Sequence, residues 1–192
     1  KPEQLAPHED FESYTRKFED ECKKLKHLNV DAVWAPEVAE MYPENFNSHV
    51  RVDGISDVLE GDFRPSFFEG VTTIVNKLFC QVQPTNAYFG EKDYQQLQVI
   101  EKMVIDLDMP VNVVGCQIIR DSHGLALSSR NAYLDDNAMR IARSLNQILK
   151  EDRDLIRTMG VPQVELLLKD KISVAGFIKV DYVTLRDAKT LR

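Results

Sequence analysis

The sequence predicts an α/β protein: a parallel sheet flanked by helices, followed by a smaller α+β unit. Three observations lead to it. Helical patterns and short apolar runs alternate from residue 11 to residue 119, the order that βαβ units produce. The runs "DAVWAP", "AYF" and "VNVVGCQII" are short and largely apolar, as strands of a covered sheet are. From Asp135 onward the texture changes to long amphipathic helices and one alternating stretch.

Taken in order, the first helical stripe is Phe18, Cys22, Leu25 and Leu28, with charge on the other faces. It ends near Asn29, and "DAVWAP" follows as a buried strand stopped by Pro36. The stretch "MYPENFNSHVRVDGISDVLEGDFRPSFFEG" is punctuated by Pro, Asn and Gly and reads as loop. A helix is predicted over 70–82, closed by Pro84. Strand "AYF" then leads through Gly90 into a helix from Asp93 to Asp108, with Leu97, Ile100, Val104 and Leu107 on one face. Beyond Pro110, "VNVVGCQII" is the next strand.

In the second unit, "DDNAMRIARSLNQILKEDRDLIRTMG" reads as one long helix ended by Gly160. A second helix, "PQVELLLKDKIS", carries Pro162 in its first turn. "GFIKVDYVTLRD" alternates as a half-exposed strand, with Ile178, Val180, Tyr182 and Thr184 on one side. The expected division is 1–131 for the first domain and 132–192 for the second, each continuing beyond this segment.

Composition narrows the function classes. The 192 residues are 43% hydrophobic and 29% charged, a balance of globular rather than disordered chains. A net charge of -7 argues against a general nucleic-acid binder, which displays a basic face. It leaves room for an anionic small molecule, because a few local cations outweigh the global field inside a cleft. No apolar run approaches the roughly 20 residues of a spanning helix, so no membrane partner is expected. Cys22, Cys80 and Cys116 lack CxxC spacing and read as reduced packing residues of a cytoplasmic protein. His8, Glu9 and Asp10 are adjacent, and adjacent side chains seldom point at one ion.

Two stretches carry the candidate chemistry. In "YFGEKDYQQL", a strand gives way to a helix at Gly90, Glu91, Lys92 and Asp93. Ligands of open parallel sheets bind at such carboxyl ends. Gly90 is expected to turn with positive φ and admit a ligand closely. Free N–H groups at the helix start favour an anion, and Lys92 adds an ammonium within reach of phosphate oxygens. Asp93 either caps the helix or accepts from ribose hydroxyls, while the amide of Gln96 is suited to a small polar acid. In "GLALSSRNAYL", Ser128 and Ser129 offer hydroxyls and Arg130 a guanidinium, a second set suited to phosphate. Arg64, before Pro65, is a further cation. Each stretch taken alone also fits a capped helix with surface charges, and Arg64 a surface ion pair.

Together, "APEVAEMYP", "FRPSFFEGVTTIVNKLF", "YFGEKDYQQL" and "GLALSSRNAYL" resemble the pantoate–β-alanine ligases, in the same order and approximate spacing. The resemblance implies a Rossmann-like nucleotidyltransferase fold with a C-terminal lid. It also implies a homodimeric enzyme that joins pantoate to β-alanine through a pantoyl adenylate, using ATP and Mg2+. By resemblance, Gly90, Glu91, Lys92, Asp93, Leu127, Ser128, Ser129 and Arg130 bind ATP, with Ile119 meeting adenine through its backbone. Lys92, Ser128, Ser129 and Arg130 are then the catalytic set, and Gln4, Gln96 and Arg64 bind pantoate or β-alanine. Lys1 and Leu5 replace the Asn and Phe that flank the glutamine in the family's pattern. The family's His-x-Gly-His motif has no counterpart in these residues and is expected upstream. The alternative is a non-catalytic paralogue or fragment that binds nucleotide without that motif.

Overall fold

A computed structural model describes residues 18–192. Helix α1 (Phe18–His27) has acidic residues in its first turn and basic ones in its last, matching the helix dipole, and buries none of its side chains. The predicted strand after it is absent. Residues 30–36 form no ladder among the described residues, and Trp34 is half exposed. An apolar run becomes a strand only when a neighbour accepts its N–H groups and supplies its carbonyls with donors.

Two short helices interrupt the long loop, α2 (Val38–Met41) and α3 (Glu60–Phe63). The stretch between them is knit by its own polar groups. Arg51 pairs with Asp53 at 2.6 Å and Asp57 at 3.1 Å, and the Ser56 hydroxyl donates to the Val52 carbonyl. Gly61 is required by close approach: a Cβ there would lie 1.9 Å from the Ser56 carbonyl oxygen.

Helix α4 (Phe67–Val82) starts three residues before the expected position, directly after Pro65–Ser66, and ends at Gln83 in left-handed conformation. Strand β1 (Asn86–Gly90) follows, then a 3-10 turn over Glu91–Asp93, helix α5 (Tyr94–Asp106) and strand β2 (Asn112–Cys116). The strands pair in parallel, with Asn86 opposite Asn112 and Gly90 opposite Cys116, so α5 is the crossover of a βαβ unit. Its Val99, Ile100 and Met103 are fully buried and meet Phe68, Val71, Val75 and Phe79 of α4 in the main core.

The predicted helix over 135–160 is broken into α6 (Asp136–Asp152), a 3-10 turn over Arg153–Leu155 and α7 (Ile156–Met159). The break falls at Asp152, which is buried and accepts from Lys171 Nζ at 2.6 Å. That ion pair ties the end of α6 to Lys171. Helix α8 (Val161–Val174) supplies that lysine and buries Val164, Leu168 and Ile172, packing against α6.

The alternating stretch 177–187 is no strand either. It is held by side chains instead: Glu165 Oε1 accepts from the Thr184 hydroxyl and the Leu185 N–H, both at 2.7 Å. The rings of Tyr182 and Phe63 stack with centroids 5.4 Å apart, and Leu191 is buried. The C-terminal segment thus lies against the loop that carries α3. Among the described residues, no helix is long and apolar enough to cross a membrane.

Candidate active site

Because β1 and β2 run parallel, the segments that follow them leave from the same end of the sheet. The 3-10 turn and first turn of α5 follow β1. After β2 comes a tight turn in which Arg120 bridges Ala126, and then a 3-10 helix over Ser129–Tyr133. Between them opens a cleft of about 460 Å³. Lys92, Asp93 and Gln96 line it from the β1 side, Arg130 from the β2 side, Arg64 from the loop before α4 and Phe67 from the first turn of α4.

Three cations therefore face one cavity. Lys92 Nζ lies 3.2 Å from Asp93 Oδ1 in a solvent-exposed pair, worth little and easily exchanged for another anion. The Arg64 guanidinium sits 3.8 Å above the centre of the Phe67 ring and 3.4 Å from Glu60 Oε1. This ion pair belongs to the cleft rather than to an outer surface. Tyr182 lines the same cleft, and its phenol is pushed up by burial and by the neighbouring Glu60 carboxylate.

Other expected residues play different local parts. Gly90 does not use positive φ: it is ordinary extended backbone at φ -73°, since the reversal falls in the 3-10 turn after it. A Cβ on it would meet nothing closer than the Lys92 nitrogen at 4.0 Å, so open space is what it provides. Asp93 occupies the N-cap position of α5, but its side chain makes no capping bond. Ser128 does cap, its Oγ accepting from the Arg130 N–H at 3.3 Å and fixing the backbone that presents the guanidinium. Glu91 and Ser129 do not line the cleft. Ile119 and Leu127 are exposed side by side, joined by the Leu127 N–H to the Ile119 carbonyl at 2.9 Å. Gln4 and the His8–Asp10 stretch lie outside the described residues.

The turn leading to Ser128 is organised by Asp121. Its carboxylate accepts from the N–H groups of His123 and Leu125 and from Arg143 Nε at 2.8 Å, tying the turn to α6. Burial pushes the Asp121 carboxyl up, yet these donors prevail and hold it below the usual carboxylate range. Sequence reasoning missed Glu60, Gln95 and Tyr182 as cleft residues. The i,i+4 spacing of Glu60 and Arg64 was a usable signal, whereas nothing local places Tyr182 there. Among the described residues, no group of three or more His, Cys, Asp or Glu is positioned to hold a metal ion.

A cleft lined by three cations at the carboxyl ends of parallel strands marks an α/β protein whose site suits an anionic ligand. Comparison with known proteins makes this particular: the chain belongs to the pantoate-beta-alanine ligase family, whose model matches residues 1–192. It is 46% identical to the pantothenate synthetase of Hyphomonas neptunium, covering 100% of this chain and 66% of that protein. It is 44% identical to the pantothenate synthetase of Roseobacter denitrificans, covering 99% of this chain and 67% of that one. The chain thus spans about two thirds of these relatives' length. The crystal structure of pantothenate synthetase from Thermus thermophilus superposes with a TM-score of 0.92 at 40% identity, covering 100% of this chain and 70% of that chain. The pantoate-beta-alanine ligase of Francisella tularensis, complexed with beta-gamma ATP and beta-alanine, superposes with a TM-score of 0.80 at 31% identity, covering 91% of this chain and 64% of that one.

Proposed function

We propose that the protein ligates pantoate to β-alanine at the expense of ATP, and that the cleft between Lys92 and Arg130 is where the triphosphate and pantoate meet. The observation that carries this reading is the convergence of Lys92, Arg130, Arg64 and Gln96 on one cavity in a chain of this family. In the first step a pantoate carboxylate oxygen attacks the α-phosphorus of ATP. The bond to the bridging oxygen breaks and pyrophosphate leaves. In the second step the β-alanine amine attacks the carbonyl carbon of the pantoyl adenylate; AMP leaves and the nitrogen gives up a proton.

Neither step requires a protein nucleophile, so positioning and charge stabilisation supply the acceleration. Lys92 exchanges Asp93 for phosphate oxygens, and Arg130, held by the Ser128 cap, meets the same leaving group. Ser129 adds a hydroxyl, Gly90, Glu91 and Asp93 shape the approach, and Ile119 and Leu127 offer an apolar flank to adenine. Gln96 and Arg64, with Gln4, orient the acid substrate. The cleft carboxylates Glu60 and Asp93 are each engaged by a cation, so the Mg2+ this reading implies would take its ligands mainly from ATP and water and would supply neutralisation of phosphate charge. Residues 132–192 serve as the lid that keeps water from the mixed anhydride. The reading carries with it a cytoplasmic homodimer.

The test is pantoate-dependent exchange of labelled pyrophosphate into ATP. Lys92→Ala is expected to slow exchange roughly a hundredfold, the loss of about 3 kcal/mol from one preorganised donor, with a much smaller change in half-saturating pantoate. Gln96→Ala should do the reverse and raise half-saturating pantoate. Equal losses in both parameters for Lys92→Ala would contradict its role.

A further inference from the structure

Gln95 stands beside Gln96 on α5, yet the two side chains do different things, because neighbours on a helix point about 100° apart. Both line the cleft, but the Gln95 amide is spent on the backbone of the loop that carries Arg64. Its Nε2 donates to the Ile55 carbonyl at 2.9 Å and the Val58 carbonyl at 2.7 Å, and its Oε1 accepts from the Glu60 N–H at 3.1 Å. Two of these three partners flank Leu59, which adopts φ 53°, ψ -116°, a conformation a leucine rarely takes. Such backbone persists only where its surroundings over-determine it. The residue after it, Glu60, pairs with Arg64, and Arg64 lies over Phe67 in the cleft.

We infer that Gln95 is a positioning residue: it clips the strained turn at Leu59 to the helix bearing Gln96, next to Lys92, and so fixes where Arg64 meets the acid substrate. The role rests on the function proposed above. Each half of the amide has a partner that no apolar side chain of the same length supplies. Losing the clip frees the turn to relax, and a displacement of about 1 Å at a substrate-facing cation is enough to change rates by as much as a hundredfold. Arg64 is the group through which that displacement is felt.

The experiment is a double-mutant cycle in the intact protein with Gln95→Met, which keeps length and volume without the amide, and Arg64→Gln. Pyrophosphate exchange is read as a function of pantoate, alongside amide hydrogen exchange. Gln95→Met is expected to raise half-saturating pantoate about tenfold and to speed exchange of the Glu60 N–H, while core amides of α4 keep their protection. In the Arg64→Gln background the same change should cost no more than about twofold, because the cation it positions is already gone. Effects that multiply in the double variant, or a Glu60 amide that exchanges as in wild type, overturn the inference. Should Gln95→Met fail to fold, Gln95→Glu keeps the acceptor for Glu60 but, ionised, has no donor for the two carbonyls; an unchanged pantoate requirement there overturns it equally. A wild-type protein that exchanges no pyrophosphate overturns the functional reading, and this role with it. An active wild type with an indifferent Gln95→Met overturns the role alone.

Discussion

Gly61 and Gly90 illustrate how two residues of one type are fixed by different demands. At Gly61 a Cβ would collide with the Ser56 carbonyl at 1.9 Å, and backbone cannot swing aside as a flexible side chain can. Gly61→Ala should therefore displace α3 and cost on the order of 2 kcal/mol or more in denaturant melts, with loss of pantoate saturation as Arg64 moves. At Gly90 the backbone is ordinary and the space open, so Gly90→Ala should cost less than about 1 kcal/mol in the same melts. If it nonetheless abolishes ATP turnover, the open space is there for the ligand. Part of the candidate site was legible at this scale: the lysine after a strand end and the arginine after paired serines line one cleft. Less legible was which glutamine of the pair bonds the loop backbone, since adjacent residues of one type carry no local sign of their partners. Tyr182 was not legible at all, for its place depends on the C-terminal segment folding back on Phe63.

Among the elements, α4, α5 and β2 emerge from periodicity because their apolar faces are satisfied by one another. Val99, Ile100 and Met103 of α5 are fully buried against α4, and Met103→Ala should cost about 2–5 kcal/mol in thermal or denaturant unfolding. The two expected strands that are missing, at 31–36 and 177–187, fail for a common reason. Helix bonds close within the segment, so its pattern suffices, whereas a strand is a property of a pair and its partner is invisible in its own residues. Glu165 takes over that function for 177–187. Its carboxyl is held below the usual range first by the Thr184 hydroxyl and then by the Leu185 N–H, with burial opposing. A folded-state pKa that is depressed gives a contribution complete above the unfolded value of about 4.3 and lost as pH falls through the folded value. Amide protection of Leu185 should therefore decline on acidification below about pH 4. Glu165→Gln should flatten that dependence, and protection that persists unchanged would show that other contacts hold the segment.

Across the whole molecule, the cleft exists because two exits from one sheet end are bridged by a loop and a C-terminal segment from distant parts of the chain. The order of elements in the sequence implied the parallel pairing, and Arg64 stood out as a cation, but the contact that brings Tyr182 to it is tertiary and carried no local signal. The matched register, Gly90 opposite Cys116, has a mechanical corollary. Extending both strands by one residue pair would carry the two exits outward together by about 3.3 Å, turn the later side chains of both to the opposite face, and leave the gap between the exits unaltered. Inserting a residue into one strand alone would shear that gap by the same amount and turn every later side chain of that strand to the opposite face. Evolution can thus lengthen this pair of prongs only in step, as one would the tines of a tuning fork.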